Sequence, residues 1–183
     1  MISEATVKKA IRSADTDSDK ILYLGALLAS ALGPGAGPVI VVGGSAIEVY
    51  TSGGYVSGDI DVVAEREPVI EVLESWGFVK AGRMWVRQDL GLAVDLVGRH
   101  YTGDRRKTRV YQTPYGPVRV AAIEDLLIKR LIEAKHWERP AAFKEALMLA
   151  KGNLSGMDME YLEARAKEED VADVFEDLTQ RVG

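Results

Sequence analysis

Apolar and polar positions follow a helical rhythm near both ends of the chain and a strand-like rhythm between them. Ile2, Ala5, Val7, Ala10 and Ile11, set among lysines, predict a short amphipathic helix over residues 2–12. Asp15-Thr16-Asp17-Ser18-Asp19 supplies capping residues, and Lys20 to Leu32 then predicts a strongly apolar helix. The β-branched run Val39 to Val42, bounded by Gly and Pro, predicts a buried strand. Gly43-Gly44-Ser45 turns the chain into a short helix over Ala46 to Tyr50, and Thr51-Ser52-Gly53-Gly54 is a loop. Tyr55 to Ala64 predicts a strand, and Glu67 to Trp76 a helix with Pro68 in its first turn. Residues 77–80, 83–87 and 92–97 predict further strands.

Val110 to Val120 predicts a β-hairpin turning at Thr113 to Pro117. Ala122 to Ile132 predicts an amphipathic helix, apolar at 123, 126, 127, 128 and 131. Three more helices are expected over residues 141–150, 158–167 and 171–181, with breaks at Gly152-Asn153 and Glu168-Glu169-Asp170. This order predicts an α/β fold: a mixed β-sheet with flanking helices over residues 1–137, then a C-terminal helical segment over 138–183. Gly33-Pro34-Gly35-Ala36-Gly37-Pro38 is rich in glycine, but it precedes a strand and has no Gly-Lys-Ser/Thr ending, so it is a helix-to-strand connector and not a nucleotide loop.

Two of these stretches carry chemistry. The glycines of Gly43-Gly44-Ser45 let backbone approach a ligand closely, and a helix N-terminus with its partial positive charge favours an anion such as a triphosphate. In Gly58-Asp59-Ile60-Asp61-Val62-Val63, strand alternation puts Asp59 and Asp61 on one face, their Cα atoms ~7 Å apart. Two adjacent carboxylates repel unless a cation joins them, and a hard, oxygen-preferring ion such as Mg2+ suits them. A third carboxylate, Asp95, lies inside the apolar run Leu92 to Val97. Unpaired there it would cost several kcal/mol, so it should meet a metal, a basic partner or water. If its strand lies beside that of Asp59, three carboxylates converge.

Gly43-Gly44-Ser45, Asp59-Ile60-Asp61 and the later Asp95 resemble the signature of the DNA polymerase β-like nucleotidyltransferase superfamily, with Ser57 as the hydroxyl residue frequent two places before the first aspartate. The resemblance spans about residues 38–97. It implies transfer of a nucleoside monophosphate from an NTP to an acceptor hydroxyl, with release of pyrophosphate. Asp59 and Asp61 would bridge two Mg2+ ions, and Asp95 would complete the metal site and help lower the pKa of the attacking hydroxyl. Gly43, Gly44, Ser45 and Ser57 would belong to the nucleotide site, the Gly44 and Ser45 amides and the Ser45 hydroxyl holding the leaving phosphates. In the family a helix after the last strand often carries a lysine facing the triphosphate, and Lys129 is at the matching place. Where relatives carry a Lys-Asp pair and a further aspartate, this chain reads Lys144-Glu145-Ala146. The acceptors the resemblance allows are a tRNA 3′ end, a protein hydroxyl or a small molecule such as an aminoglycoside. Likeness to stand-alone members in two-gene, toxin–antitoxin-type systems favours RNA or protein, and a partner protein encoded alongside. The alternative is a degenerate member of the same fold that binds nucleotide or a partner without turnover.

A hydrophobic share of 47% and a charged share of 28% are ordinary for a globular domain, and a formal net charge of −5 argues against coating nucleic acid by bulk charge. With no cysteine, disulfides, thiolate metal sites and a cysteine nucleophile are excluded, and His100 and His136 are the only imidazoles. Gly98 to Arg109 holds the one dense basic run, Arg99, His100, Arg105, Arg106, Lys107 and Arg109, which is either a solvated loop or a place for nucleotide phosphates or an RNA acceptor. The longest apolar stretch, Ile21 to Leu32, is too short to span a bilayer, and the N-terminus has no signal-peptide core, so the expected address is the cytoplasm, with no membrane partner.

Overall fold

The computed structural model describes residues 2–182. The described residues form a mixed α/β protein with eight α-helices and a seven-stranded mixed sheet. They divide into two compact units, one running to Ala121 and the other starting at Ala122.

The first unit opens with α1 (Glu4–Arg12) and α2 (Asp17–Leu32). Thr16 caps α2 reciprocally: the Asp19 N–H donates to the Thr16 hydroxyl at 3.0 Å, and the Thr16 N–H donates to the Asp19 carboxylate at 3.1 Å. The helix therefore starts three residues earlier than its apolar run. Strands β1 (Ile40–Val41), β2 (Ile60–Val63), β3 (Val79–Ala81), β4 (Met84–Arg87), β5 (Leu92–Gly98), β6 (Arg109–Thr113) and β7 (Gly116–Val120) form one sheet in the order β3-β4-β5-β2-β1-β7-β6. β2 pairs with β5, and β1 with β7, in parallel; the other neighbours are antiparallel. Helices α3 (Gly43–Tyr50) and α4 (Arg66–Ser75) follow β1 and β2.

The long helix α2 lies close on the sheet. A Cβ on Gly25 would come within 2.7 Å of a Val118 methyl carbon and 3.1 Å of one from Val41, so a glycine there lets the helix backbone approach β7 and β1. Leu24, Leu27 and Leu28 of α2 are buried with Val41, Val62, Val118 and Val120, and this apolar layer is the core of the unit.

Two elements differ from their sequence expectation in ways that matter for chemistry. The turn Gly43-Gly44-Ser45 is itself the first turn of α3, which starts at Gly43. The strand expected over Tyr55 to Ala64 is a ladder only over Ile60–Val63, and Asp59 lies in the bend just before it. Side chains intercept the backbone of this segment: the Tyr55 N–H donates to the Thr51 hydroxyl at 3.1 Å and the Ser57 N–H to the Glu48 carboxylate at 2.7 Å. Gly58 then takes φ +85°, outside the extended range.

The second unit contains α5 (Ile123–His136), α6 (Pro140–Ala150), α7 (Met159–Glu168) and α8 (Ala172–Val182). Because the division falls at Ala121 and Ala122, α5 groups with the C-terminal helices, whereas the expected boundary after residue 137 attaches it to the sheet. Buried Arg130, Glu133 and Glu145 form one charge network with Arg139, while the buried Glu124 carboxylate accepts from the Asp158 N–H at 3.0 Å. Arg130 donates to both oxygens of Glu133 at 2.9 Å and meets Glu145 at 2.6 Å, while Arg139 meets Glu133 at 2.6 Å and Glu145 at 2.8 Å. Two guanidiniums and two carboxylates thus tie α5 to α6 with no charge left over. Among the described residues no helix is long and apolar enough to cross a membrane.

Candidate functional site

Sheet register brings the acidic residues together. β2 and β5 are parallel neighbours with Asp61 directly opposite Asp95, so both side chains leave the sheet on the same face. Asp59 joins them from the bend preceding β2. One carboxylate oxygen from each of Asp59, Asp61 and Asp95 lies within 4.8 Å of the others, with Asp95 buried and the other two half-buried.

The turn into α3 is stitched to this group by Asp61. Its backbone accepts from the Val42 N–H at 3.0 Å, and its carboxylate accepts from the Gly44 N–H at 3.0 Å. The Asp61 N–H donates to the Ser45 hydroxyl at 3.0 Å, and that hydroxyl donates to the Val42 carbonyl at 2.9 Å. Gly43 has φ +59°, and a Cβ on it would collide with the Asp61 carboxylate. Only glycine fits this position, on backbone and on contact grounds together.

The Ser45 hydroxyl already has partners within the protein. Ser45 is fully buried, and its hydroxyl is committed on both its donor and acceptor sides, so the hydroxyl fixes β2 against the turn. The Gly44 amide likewise points at Asp61. Ser57 lies close to the group: its hydroxyl donates to Asp59 at 3.4 Å, and a Cβ on Gly44 would come within 2.8 Å of that oxygen. Gly43, Gly44, Ser45, Ser57, Asp59, Asp61 and Asp95 thus form one neighbourhood. Lys129 belongs to the other unit, exposed on α5.

Two residues escape a sequence reading. Glu48, 3% exposed on α3 between apolar Ile47 and Val49, holds the Ser57 backbone in place; a carboxylate flanked by apolar residues on a short buried helix was the available signal. Arg83 meets Asp95, Nε to Oδ2, at 3.0 Å. Nothing local announces that contact, because it depends on how β4 pairs with β5.

The residues fit a divalent ion. Mg2+ is bound by oxygens at ~2.1 Å, so two ligands across the ion are roughly 4.2 Å apart, and three carboxylate oxygens within 4.8 Å need only a small adjustment to share a cation. The donor set is all oxygen, as hard cations prefer. A small cavity of about 140 Å3 opens beside Asp59, between Lys20, Glu48 and Leu92.

The basic run is largely paired within the protein. Arg99 donates to both oxygens of Glu67 at 2.8 and 3.0 Å, and Arg109 lies 5.2 Å over the Tyr50 ring. Arg106 donates to Asp104 at 2.9 Å, which holds the Asp104 carboxyl below the usual range. A second cavity of about 370 Å3 lies between Pro38, Ile40 and Val63 on one side and His100, Tyr101 and Arg105 on the other. No protein-family model, curated protein or solved structure matches this chain.

Proposed function

We propose that this protein is a divalent-metal-dependent nucleotidyltransferase of the DNA polymerase β-like kind, moving a nucleoside monophosphate from an NTP to an acceptor hydroxyl and releasing pyrophosphate. The observation that carries the reading is the convergence of Asp59, Asp61 and Asp95 on one sheet face beside a glycine turn that opens a helix. Three neighbouring carboxylates, one of them buried, are costly to keep, and a polyphosphate–metal site gives them a use.

Asp59, Asp61 and Asp95 would hold the metal. When bound, it would neutralise the triphosphate and the charge that develops at the leaving oxygen. The acceptor oxygen forms a bond to the α-phosphorus as the bond from that phosphorus to the pyrophosphate oxygen breaks. The hydroxyl proton passes to a carboxylate of the site, Asp95 being the most buried, or to water. Asp61 orders the turn through the Gly44 N–H, and Ser45 orders Asp61 through its N–H, so positioning rests on hydrogen bonds already made before substrate arrives. RNA or protein is the acceptor favoured by the resemblance, and the partner from a two-gene system is proposed on the same ground.

The test is pyrophosphate release from each NTP with Mg2+, offered bulk tRNA, total cellular protein and an aminoglycoside as acceptors in turn. Release with one acceptor class, abolished in Asp61→Ala, is the expected result. Nucleotide binding with no release under any condition would replace this reading with a non-catalytic binding module.

A further inference from the structure

Asp95 already has a cation. Its side chain is 7% exposed, and the guanidinium that reaches it belongs to Arg83, a side chain 78% exposed. Other arginine ion pairs are held at more points: the Arg87 and Arg130 side chains are 6% and 8% exposed and each meets two acidic residues, and Arg139, 45% exposed, meets both Glu133 and Glu145. Arg83 is more exposed than any of these and comes in from solvent to a buried acid through a single ion-pair contact.

The fold explains how it gets there. Gly82 and Arg83 form the two-residue turn between β3 and β4, with Gly82 at φ +63° and Ala81 paired to Met84 across the turn. Met84 is in turn directly opposite Asp95. The turn therefore delivers Arg83 next to the buried carboxylate, on a short tether at an exposed hairpin tip.

We propose that Arg83 is a displaceable counter-ion that competes with the divalent metal for Asp95. The inference rests on the metal reading of the preceding section. Without metal, three carboxylates within 4.8 Å of one another repel, and a positive charge beside Asp95 offsets that repulsion and holds its side chain in register. On metal binding the same carboxylate would carry two cations, which repel each other, and the one on the water-exposed side chain leaves. An ion pair with so exposed a partner is cheap to break, so Arg83 weakens metal binding without blocking it. The opposite possibility, that Arg83 prepares Asp95 and so strengthens metal binding, predicts the opposite sign when Arg83 is removed.

Mn2+ titration of the full chain, followed by loss of the free-ion paramagnetic resonance signal, decides the sign. Arg83→Ala binds Mn2+ about three- to tenfold tighter than wild type, the range expected for removing a mostly exposed competing ion pair. Lys9→Ala, which removes one positive charge from an exposed position on α1, changes affinity less than the Arg83 variant does. Adding Asp95→Asn to Arg83→Ala abolishes the gain. Equal or weaker Mn2+ binding by Arg83→Ala overturns the competition and leaves the metal site standing, whereas no Mn2+ binding by wild type or variant overturns both.

Discussion

Ser45 separates two accounts of the glycine turn. If it held phosphate, Ser45→Ala would raise the apparent nucleotide constant and leave stability alone. Its burial and its bonds to Val42 and Asp61 require the reverse. Removing the hydroxyl leaves the Asp61 N–H without its partner, so Ser45→Ala should lower unfolding free energy by about 1–3 kcal/mol, measured by denaturant titration, with nucleotide affinity falling only as far as Asp61 is displaced. The sequence made Gly43, Gly44, Asp59, Asp61 and Asp95 legible because glycine and aspartate in those settings are expensive unless used. It did not make the task of Ser45 legible, since a serine after a glycine pair looks the same whether its hydroxyl faces a ligand or the preceding carbonyl.

At the scale of elements, strand and helix types follow from the apolar rhythm, and boundaries depart from it wherever a side chain captures the backbone. Thr16 and Asp19 start α2 early, and Thr51 and Glu48 withhold Tyr55 and Ser57 from a ladder. The basic run shows the same limit: its charges are visible in the sequence, but Glu67, the partner of Arg99, lies far away along it. The C-terminal helices carry a pH signature. The Lys135 ammonium donates to Asp173 at 2.9 Å, which holds the Asp173 carboxyl below its usual range and raises Lys135 above its own. A depressed carboxyl contributes stability that is present above the ordinary carboxylate range and lost as pH falls through its lowered value. The raised lysine contributes below the ordinary lysine range and loses its share only in strong alkali. NMR titration should therefore find the Asp173 carboxyl titrating below its usual range in wild type and returning toward it in Lys135→Met; an unchanged midpoint would show that the pair does not form in solution.

At the scale of the whole molecule, the sequence left one condition open, whether the strand of Asp95 lies beside that of Asp61, and no local pattern decides strand neighbours. The sheet order β5-β2-β1 and the Asp61–Asp95 register meet that condition, although α4, β3, β4 and a short 3-10 helix over Gln88–Leu90 intervene between β2 and β5 in the chain. Topology thus turns two separate sequence features into one acidic centre in a chain that is itself acidic, where the cost of gathering three carboxylates is highest. Calorimetry of each NTP binding to wild type and to the Asp59→Ala/Asp61→Ala variant, with and without Mg2+, tests that centre most directly. The account predicts nucleotide binding that requires Mg2+ and disappears in the variant; binding that is independent of Mg2+, or undiminished in the variant, would contradict it.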